Sequence, residues 1–240
     1  SHVDRSIVDG SQFVRTNCTG TNVMCDVANQ VGVHRFLHIS TDEVYGSVEQ
    51  GSSKVTVPRA PRSPYSASKA GSDRIALSYH STYGMPVIVT RCTNNFGPYQ
   101  FPEKVIPLFT TNLLDGRKVP LYGDGMNVRD WIHVEDHNRA AQLVLDRGVP
   151  GEIYNIGAGN ELPNIELTRR LLELTGRDDS FIEPVEDRLG HDRRYSVDIG
   201  KITDLGWTLE RTFDESLAAT VDWYRRNRDW WEPLTARVAL

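Results

Sequence analysis

Two short stretches carry residue types that could do acid–base chemistry. The first is Ser40-Thr41-Asp42-Glu43-Val44-Tyr45-Gly46, a hydroxyl and two carboxylates directly after the apolar run Phe36-Leu37-His38-Ile39. The second is Ser63-Pro64-Tyr65-Ser66-Ala67-Ser68-Lys69-Ala70-Gly71. If it is helical, Tyr65 and Lys69 lie four apart on one face, with Cβ atoms roughly 6 Å from each other. A free tyrosine has a pKa near 10, so lowering it to about 7 takes roughly 4 kcal/mol. A neighbouring ammonium favours the phenolate, and Lys69 is expected to supply much of that shift. The product would be a general base for a hydroxyl. Adjacent carboxylates such as Asp42 and Glu43 can likewise divide acid and base roles when their surroundings differ. Spacing alone, however, suits ordinary helix-surface and loop residues equally well.

The elements that must position these groups are legible. Residues 36–41 read as a short buried strand. Ser63 is a good N-cap, Pro64 fits the first helical position and Gly84 suits the residue past the end, giving a helix over 63–83. A preceding helix is expected over 12–31, with Val14, Val23, Val27 and Ala28 among its apolar positions and Gly32 as its close. Val87-Ile88-Val89-Thr90-Arg91-Cys92 is a β-branched strand. Strands alternating with helices predict an α/β fold with a doubly wound parallel sheet, whose ligands bind at the strand C-termini. Thr41-Asp42-Glu43 and Asn94-Asn95 fall there. From Pro98 the texture changes, with helices expected over 104–115, 135–146, 164–175 and 212–228. The chain thus divides into 1–97, carrying the catalytic candidates, and 98–240, a smaller α/β substrate-binding portion interleaved with late sheet strands. Trp223-Tyr224 and Trp230-Trp231 are expected to be packing aromatics.

Composition narrows the function classes. The chain is 39% hydrophobic and 25% charged, ordinary for a globular protein with a real core. A net charge of −5 provides no general basic field, so nucleic acid is not expected as a partner. An anionic ligand would need a local cluster of Arg, Lys and His. No run of eighteen apolar residues occurs, and no signal peptide is recognisable, so a cytoplasmic protein without membrane contact is expected. Cys18, Cys25 and Cys92 are read as reduced structural thiols, and no Cys or His spacing suggests a metal site.

Tyr65-Ser66-Ala67-Ser68-Lys69 resembles the Tyr-x-x-x-Lys motif of the extended short-chain dehydrogenase/reductases. Ser-Thr-Asp-Glu-Val-Tyr-Gly at 40–46 is similar to the active-site strand end of their nucleotide-sugar 4,6-dehydratase branch. Three later blocks resemble it in order: 93–104 (Thr-Asn-Asn-Phe-Gly-Pro-Tyr-Gln-Phe-Pro-Glu-Lys), Gly123-Asp124-Gly125 with Arg129-Asp130-Trp131, and 187–195 (Asp-Arg-Leu-Gly-His-Asp-Arg-Arg-Tyr). Leu189 departs from the usual residue of that last loop but removes no donor.

The resemblance implies an NAD-dependent enzyme that oxidises C4 of a nucleotide-linked hexose, eliminates water across C5 and C6, and reduces C6. It implies Tyr65, Lys69 and Thr41 for the oxidation, Asp42 as acid and Glu43 as base. Thr16 and Asn95, with Tyr65 and Lys69, correspond to cofactor positions. Ser1, Thr41, Asn94, Lys104, Val105, Pro120, Tyr122, Arg129, Asn164, Arg188 and His191 correspond to substrate positions, several of them as cationic donors to a diphosphate. A homodimer is implied through helices 12–31 and 65–83, whose Gly20, Ala67, Ala70 and Gly71 permit close contact. No glycine-rich dinucleotide fingerprint occurs, and Gly157-Ala158-Gly159 reads as a simple turn, so the family's first third is expected to be absent. A nucleotide-sugar 4-epimerase or decarboxylase would share Thr41, Tyr65 and Lys69 but would not need both carboxylates. A non-catalytic binding protein on the same fold would not need the catalytic set.

Overall fold

The computed structural model describes residues 2–235. The chain begins with helix α1 (Val3–Val8), followed by α2 (Ser11–Phe13), a π-helical segment (Val14–Thr19) and α3 (Gly20–Val31). Together these last three form the expected 12–31 helix, with a π-helical middle that periodicity did not reveal. Gly32, at φ 72°, closes it in the left-handed conformation that glycine adopts most cheaply. Val14, Val23 and Val27 turn outward, while Cys25 and Ala28 are buried.

Strand β1 (Phe36–Thr41) leads into a 3₁₀ turn (Asp42–Tyr45), and α4 (Pro64–Tyr83) follows a long polar loop. Both ends of α4 are fixed by sequence-local chemistry. The Ser63 hydroxyl accepts from Ser66 N–H, the Ser66 hydroxyl accepts from Ser63 N–H, and Gly84 N–H donates to His80 O. Strand β2 (Val87–Cys92) pairs in parallel with β1, Phe36 opposite Val87 and Thr41 opposite Cys92. The chain continues through β3 (Asn94–Phe96), α5 (Val105–Leu114), β4 (Val119–Tyr122), β5 (Val128–His133), α6 (Val134–Arg147) and β6 (Ile153–Ile156). Strand β6 returns to pair in parallel with β2. Next come β7 (Glu161–Pro163), α7 (Asn164–Thr175), β8 (Ile182–Val185), α8 (Gly200–Thr203), α9 (Phe213–Arg226) and α10 (Arg228–Thr235).

The α/β class expected from the sequence is what the chain adopts: parallel β1-β2-β6, a mixed β3-β5-β7 sheet and a β4-β8 pair, with helices packed against them. One apolar cluster packs α3 and α4 on Val87 and Val89, and another packs α6 and α8 around Ile88, Tyr154 and Ile156. A third joins α5, α7 and α9 around Phe96 and Trp131. Together they hold the carboxyl ends of β1 and β2 against the start of β3 and β5, which is where the candidate groups converge.

Candidate active site

The end of β1 separates the two carboxylates. Thr41 is the last strand residue, and its hydroxyl accepts from Glu43 N–H at 3.3 Å while donating to Asp42 Oδ1 at 3.1 Å. The tight turn that results buries Asp42 and aims Glu43 into a cavity. Asp42 is 4% exposed, and its Oδ2 has no hydrogen-bond partner among the described residues. Burial, reinforced by the charge of Glu43, pushes its carboxyl up to about 8. Burial raises Glu43 as well, but Arg188, Lys104 and Arg129 face it and oppose that rise.

Helix α4 brings Tyr65 to the same place. The Thr41 hydroxyl, which donates to Asp42, also lowers the Tyr65 pKa slightly against larger opposing effects. Phe13 packs edge-on to the Tyr65 ring at 6.0 Å. The expected activation by Lys69 is not what this arrangement provides. Burial, then the charges of Glu43 and Asp42 among others, raises the Tyr65 phenol well above its ordinary value. The Lys69 ammonium donates instead to Ile39 O at 2.7 Å, and burial lowers its own pKa against the pull of Asp73.

The cavity holds about 380 Å³. It is lined by Glu43 and by nine of the substrate candidates: Asn94, Lys104, Val105, Pro120, Tyr122, Arg129, Asn164, Arg188 and His191. Their elements explain the convergence. Asn94 opens β3 opposite Trp131 of β5, Lys104 caps α5, Tyr122 ends β4, and Asn164 begins α7 directly after β7. Arg129 is buried, donates to Val128 O and Asp192 O, and lies 4.2 Å from the centre of the Tyr195 ring. The Tyr195 hydroxyl in turn donates to Asp192 Oδ2 at 2.8 Å. Arg188 has a buried Nε with no partner among the described residues, and Asn94 Oδ1 is likewise unpaired. A donor and an acceptor are thus held ready for an anionic, hydroxylated ligand.

His191 differs from the cationic donor expected. Burial and the Arg188 charge lower its pKa, although its Nδ1 sits 2.6 Å from Asp187 Oδ1. The ring is therefore neutral near pH 7, with Nδ1–H on Asp187. Thr16 lies exposed on the π-helical segment and does not line the cavity; its neighbour Asn17 donates to Ser68 on α4 at 2.9 Å. Ser1 lies outside the described residues. Asn95 Oδ1 is buried without a partner among them, an acceptor suited to the carboxamide N–H of a nicotinamide. With Tyr65 and Lys69 close to β1, these residues fit an NAD nicotinamide end.

The sequence reading missed His2, Asp4, Arg5, Glu103, Trp131 and Tyr195, which also line the cavity. Trp131 and Tyr195 belong to blocks already singled out, and Glu103 adjoins Lys104. The segment 2–5 carried no periodic signal, and only its position over the cavity reveals it.

A sequence model of the family described as GDP-mannose 4,6 dehydratase matches residues 1–220. The chain belongs to that family. Within the 4,6-dehydratases, it is 58% identical to a dTDP-glucose 4,6-dehydratase of Streptomyces antibioticus, over all of this chain and 72% of that protein. A crystal structure of a dTDP-glucose 4,6-dehydratase from Streptomyces venezuelae, with NAD bound, superposes with a TM-score of 0.96 at 57% identity. That match covers 98% of this chain and 73% of the other. A Thermus thermophilus UDP-glucose 4-epimerase in complex with NAD also superposes, with a TM-score of 0.90 at 30% identity over 95% of this chain and 75% of that one. The fold is thus common to 4,6-dehydratases and epimerases, and the side chains must separate them.

Proposed function

We propose that this chain is the catalytic and substrate-binding part of an NAD-dependent dTDP-glucose 4,6-dehydratase, forming dTDP-4-dehydro-6-deoxyglucose. The observation that carries this reading is the pair Asp42 and Glu43. One carboxyl is held protonated by burial, and the other faces cations in the cavity. An epimerase, which only oxidises and re-reduces one carbon, has no use for both.

Bound NAD supplies the two-electron acceptor for C4 and the donor for C6, and its oxidised ring carries the positive charge that favours a phenolate at Tyr65. Tyr65 takes the C4 hydroxyl proton, and the Thr41 hydroxyl favours its phenolate. Lys69 keeps its ammonium on the β1 backbone, donating to Ile39 O, and would help hold the cofactor. The new C4 carbonyl acidifies the C5 proton, and Glu43 removes it. Asp42 gives its proton to the C6 oxygen, which departs as water. Residues 1–97 supply these groups, and Asn95 and Thr16 serve the cofactor. Residues 98–240 supply most of the substrate grip: Arg129, Arg188 and Lys104 meet the diphosphate charge, and Val105 meets the sugar together with Asn94 of β3. Asn164, Pro120 and Tyr122 surround the nucleoside side, and neutral His191 offers an acceptor to a nucleoside hydroxyl or N–H.

Val14, Val23, Met24, Val27 and Val31 expose an apolar stripe along the π-helical segment and α3, and Tyr83 is exposed at the end of α4. We assign this stripe to a second copy of the chain in a homodimer. One small residue expected at that interface works differently: a Cβ on Gly71 would stand 3.1 Å from Cys18 Sγ, so Gly71 serves packing within the chain. No described helix is long and apolar enough to cross a membrane, and we place the protein in the cytoplasm. Conversion of dTDP-glucose to the 4-keto-6-deoxy sugar, followed by mass and by deuterium uptake from solvent at C5, tests the reaction. An epimerised product without loss of water would refute it.

A further inference from the structure

The loop 97–104 joins two parts of the site, running from Asn94-Asn95 of β3 to Lys104 at the start of α5. Its backbone is not relaxed. Tyr99 has φ 62°, the one non-glycine residue in left-handed backbone among those described. A residue with a Cβ disfavours that region, so surrounding contacts must hold it there. Tyr99 is 67% exposed, so burial in a core cannot be the cause.

The contacts come from the C-terminal helices. The Tyr99 ring stands 4.6 Å from Trp223 of α9 and 5.3 Å from Trp230 of α10, and these two tryptophans are 5.2 Å apart. The next residue, Gln100, is held from both sides. Its carbonyl accepts from the buried Tyr224 hydroxyl at 2.5 Å, and its side-chain amide donates to Asn95 O at 2.8 Å. Trp231 Nε1 donates to Tyr224 O at 2.7 Å, so hydrogen bonds link α10 to Asn95 residue by residue through Tyr224 and Gln100. At the far end of the loop, Glu103 pairs with Arg5 at 3.0 Å, and both line the cavity.

We infer that Tyr99 is a positioning residue: clamped between Trp223 and Trp230, it holds the loop 97–104 in the conformation that sets Asn94 and Lys104 for the nucleotide sugar. The C-terminal aromatics thereby act on ligand affinity from outside the cavity. The inference rests on the nucleotide-sugar reading above.

The test is calorimetric titration of the 240-residue chain with dTDP, alongside thermal melting, for the wild type, Tyr99→Phe, Tyr99→Ala and Trp230→Ala. Tyr99→Phe keeps the ring and should bind as the wild type does. Removing ring pairs of this kind should weaken dTDP by about tenfold in Tyr99→Ala and in Trp230→Ala. Melting temperatures should change by only a few degrees. Unaltered affinity in both alanine variants, or a fall in melting temperature with affinity intact, would overturn the positioning role. Equal weakening in Tyr99→Phe would do so too, because the ring would then not be the agent. Failure of the wild type to bind dTDP would refute the nucleotide-sugar reading itself, a separate outcome.

Discussion

The catalytic strip and the substrate cavity are built on opposite principles. Thr41, Asp42, Glu43, Tyr65 and Lys69 come from one strand end and the first turns of one helix, within thirty residues of sequence, and their geometry is fixed by local bonds. Thr41 alone bonds both Asp42 and the Glu43 backbone. The cavity instead gathers side chains from His2 to Tyr195, carried by eight or so separate segments, and holds its cations through paired partners such as Arg129 with Asp192 and Tyr195. A local constellation tunes protonation, because two or three neighbours decide each group's burial. A dispersed one tunes affinity, because a ligand must span groups carried by separate elements. Substitutions in the strip should therefore act on rate and those in the cavity on binding.

The largest effects that would sharpen or break this contrast lie in the strip. Tyr65→Phe removes the base for the C4 hydroxyl and should cost about 10² to 10⁴ in turnover, a typical value for a positioned acid–base group. Little reduced cofactor should accumulate in a single turnover with dTDP-glucose. Glu43→Gln should lose a similar factor in overall turnover but still oxidise C4, with little exchange of the C5 hydrogen for deuterium. Stopped-flow absorbance of the reduced cofactor, together with mass analysis of the sugar, separates the two. The reverse pattern, with C4 oxidation surviving in Tyr65→Phe and lost in Glu43→Gln, would exchange the assignments and undo the dehydratase account.

In the cavity, Arg188 is the sharper probe. Its Nε is buried and unpaired among the described residues, and its nearest acidic neighbour, Asp4, is 4.0 Å away. An anion there would gain a charge-assisted bond worth roughly 1.5–3 kcal/mol. Arg188→Met should therefore raise KM for the nucleotide sugar by about 10- to 100-fold, with kcat changed far less. A drop in kcat with KM intact would place Arg188 in the catalytic strip, through its charge on Glu43, and erase the distinction drawn here.

The strip was also the part legible in the sequence, and for the same physical reason. Ser63, Pro64 and Gly84 mark α4 by local capping chemistry, and the four-residue spacing of Tyr65 and Lys69 follows from helical geometry. The β-branched run at 87–92 declares its strand. Three features were not legible. The π-helical segment 14–19 has the composition of an ordinary helix. The Lys69 ammonium goes to the Ile39 carbonyl, because its direction depends on where β1 lies against α4. The cavity's membership depends on tertiary placement: Arg5 and Glu103 form one ion pair across 98 positions, and no periodicity records that. Resemblance, rather than spacing, supplied most of the cavity set.

The smallest expected effect concerns the cost of keeping Asp42 protonated. Its carboxyl is pushed up to about 8, from an ordinary 3.8, mainly by burial. Because the folded value lies above the unfolded one, folding takes up a proton between those two pH values, and stability falls as pH rises from about 4 towards 8. The buried Oδ2 has no partner among the described residues, so the ionised form is not compensated there. Asp42→Asn replaces the carboxyl with a neutral group of similar shape. By removing the buried carboxyl that must ionise as pH rises, it should stabilise the chain at pH 8 while abolishing elimination. The gain should shrink as the pH is lowered through this range and vanish only below about 3.8, where the wild-type carboxyl is protonated in both states. Urea unfolding of wild type and Asp42→Asn across that range measures the difference directly. A gain that stayed constant with pH would mean that Asp42 ionises normally in the fold. The acid role would then pass to another group, and the two carboxylates would no longer differ in the way the reaction requires.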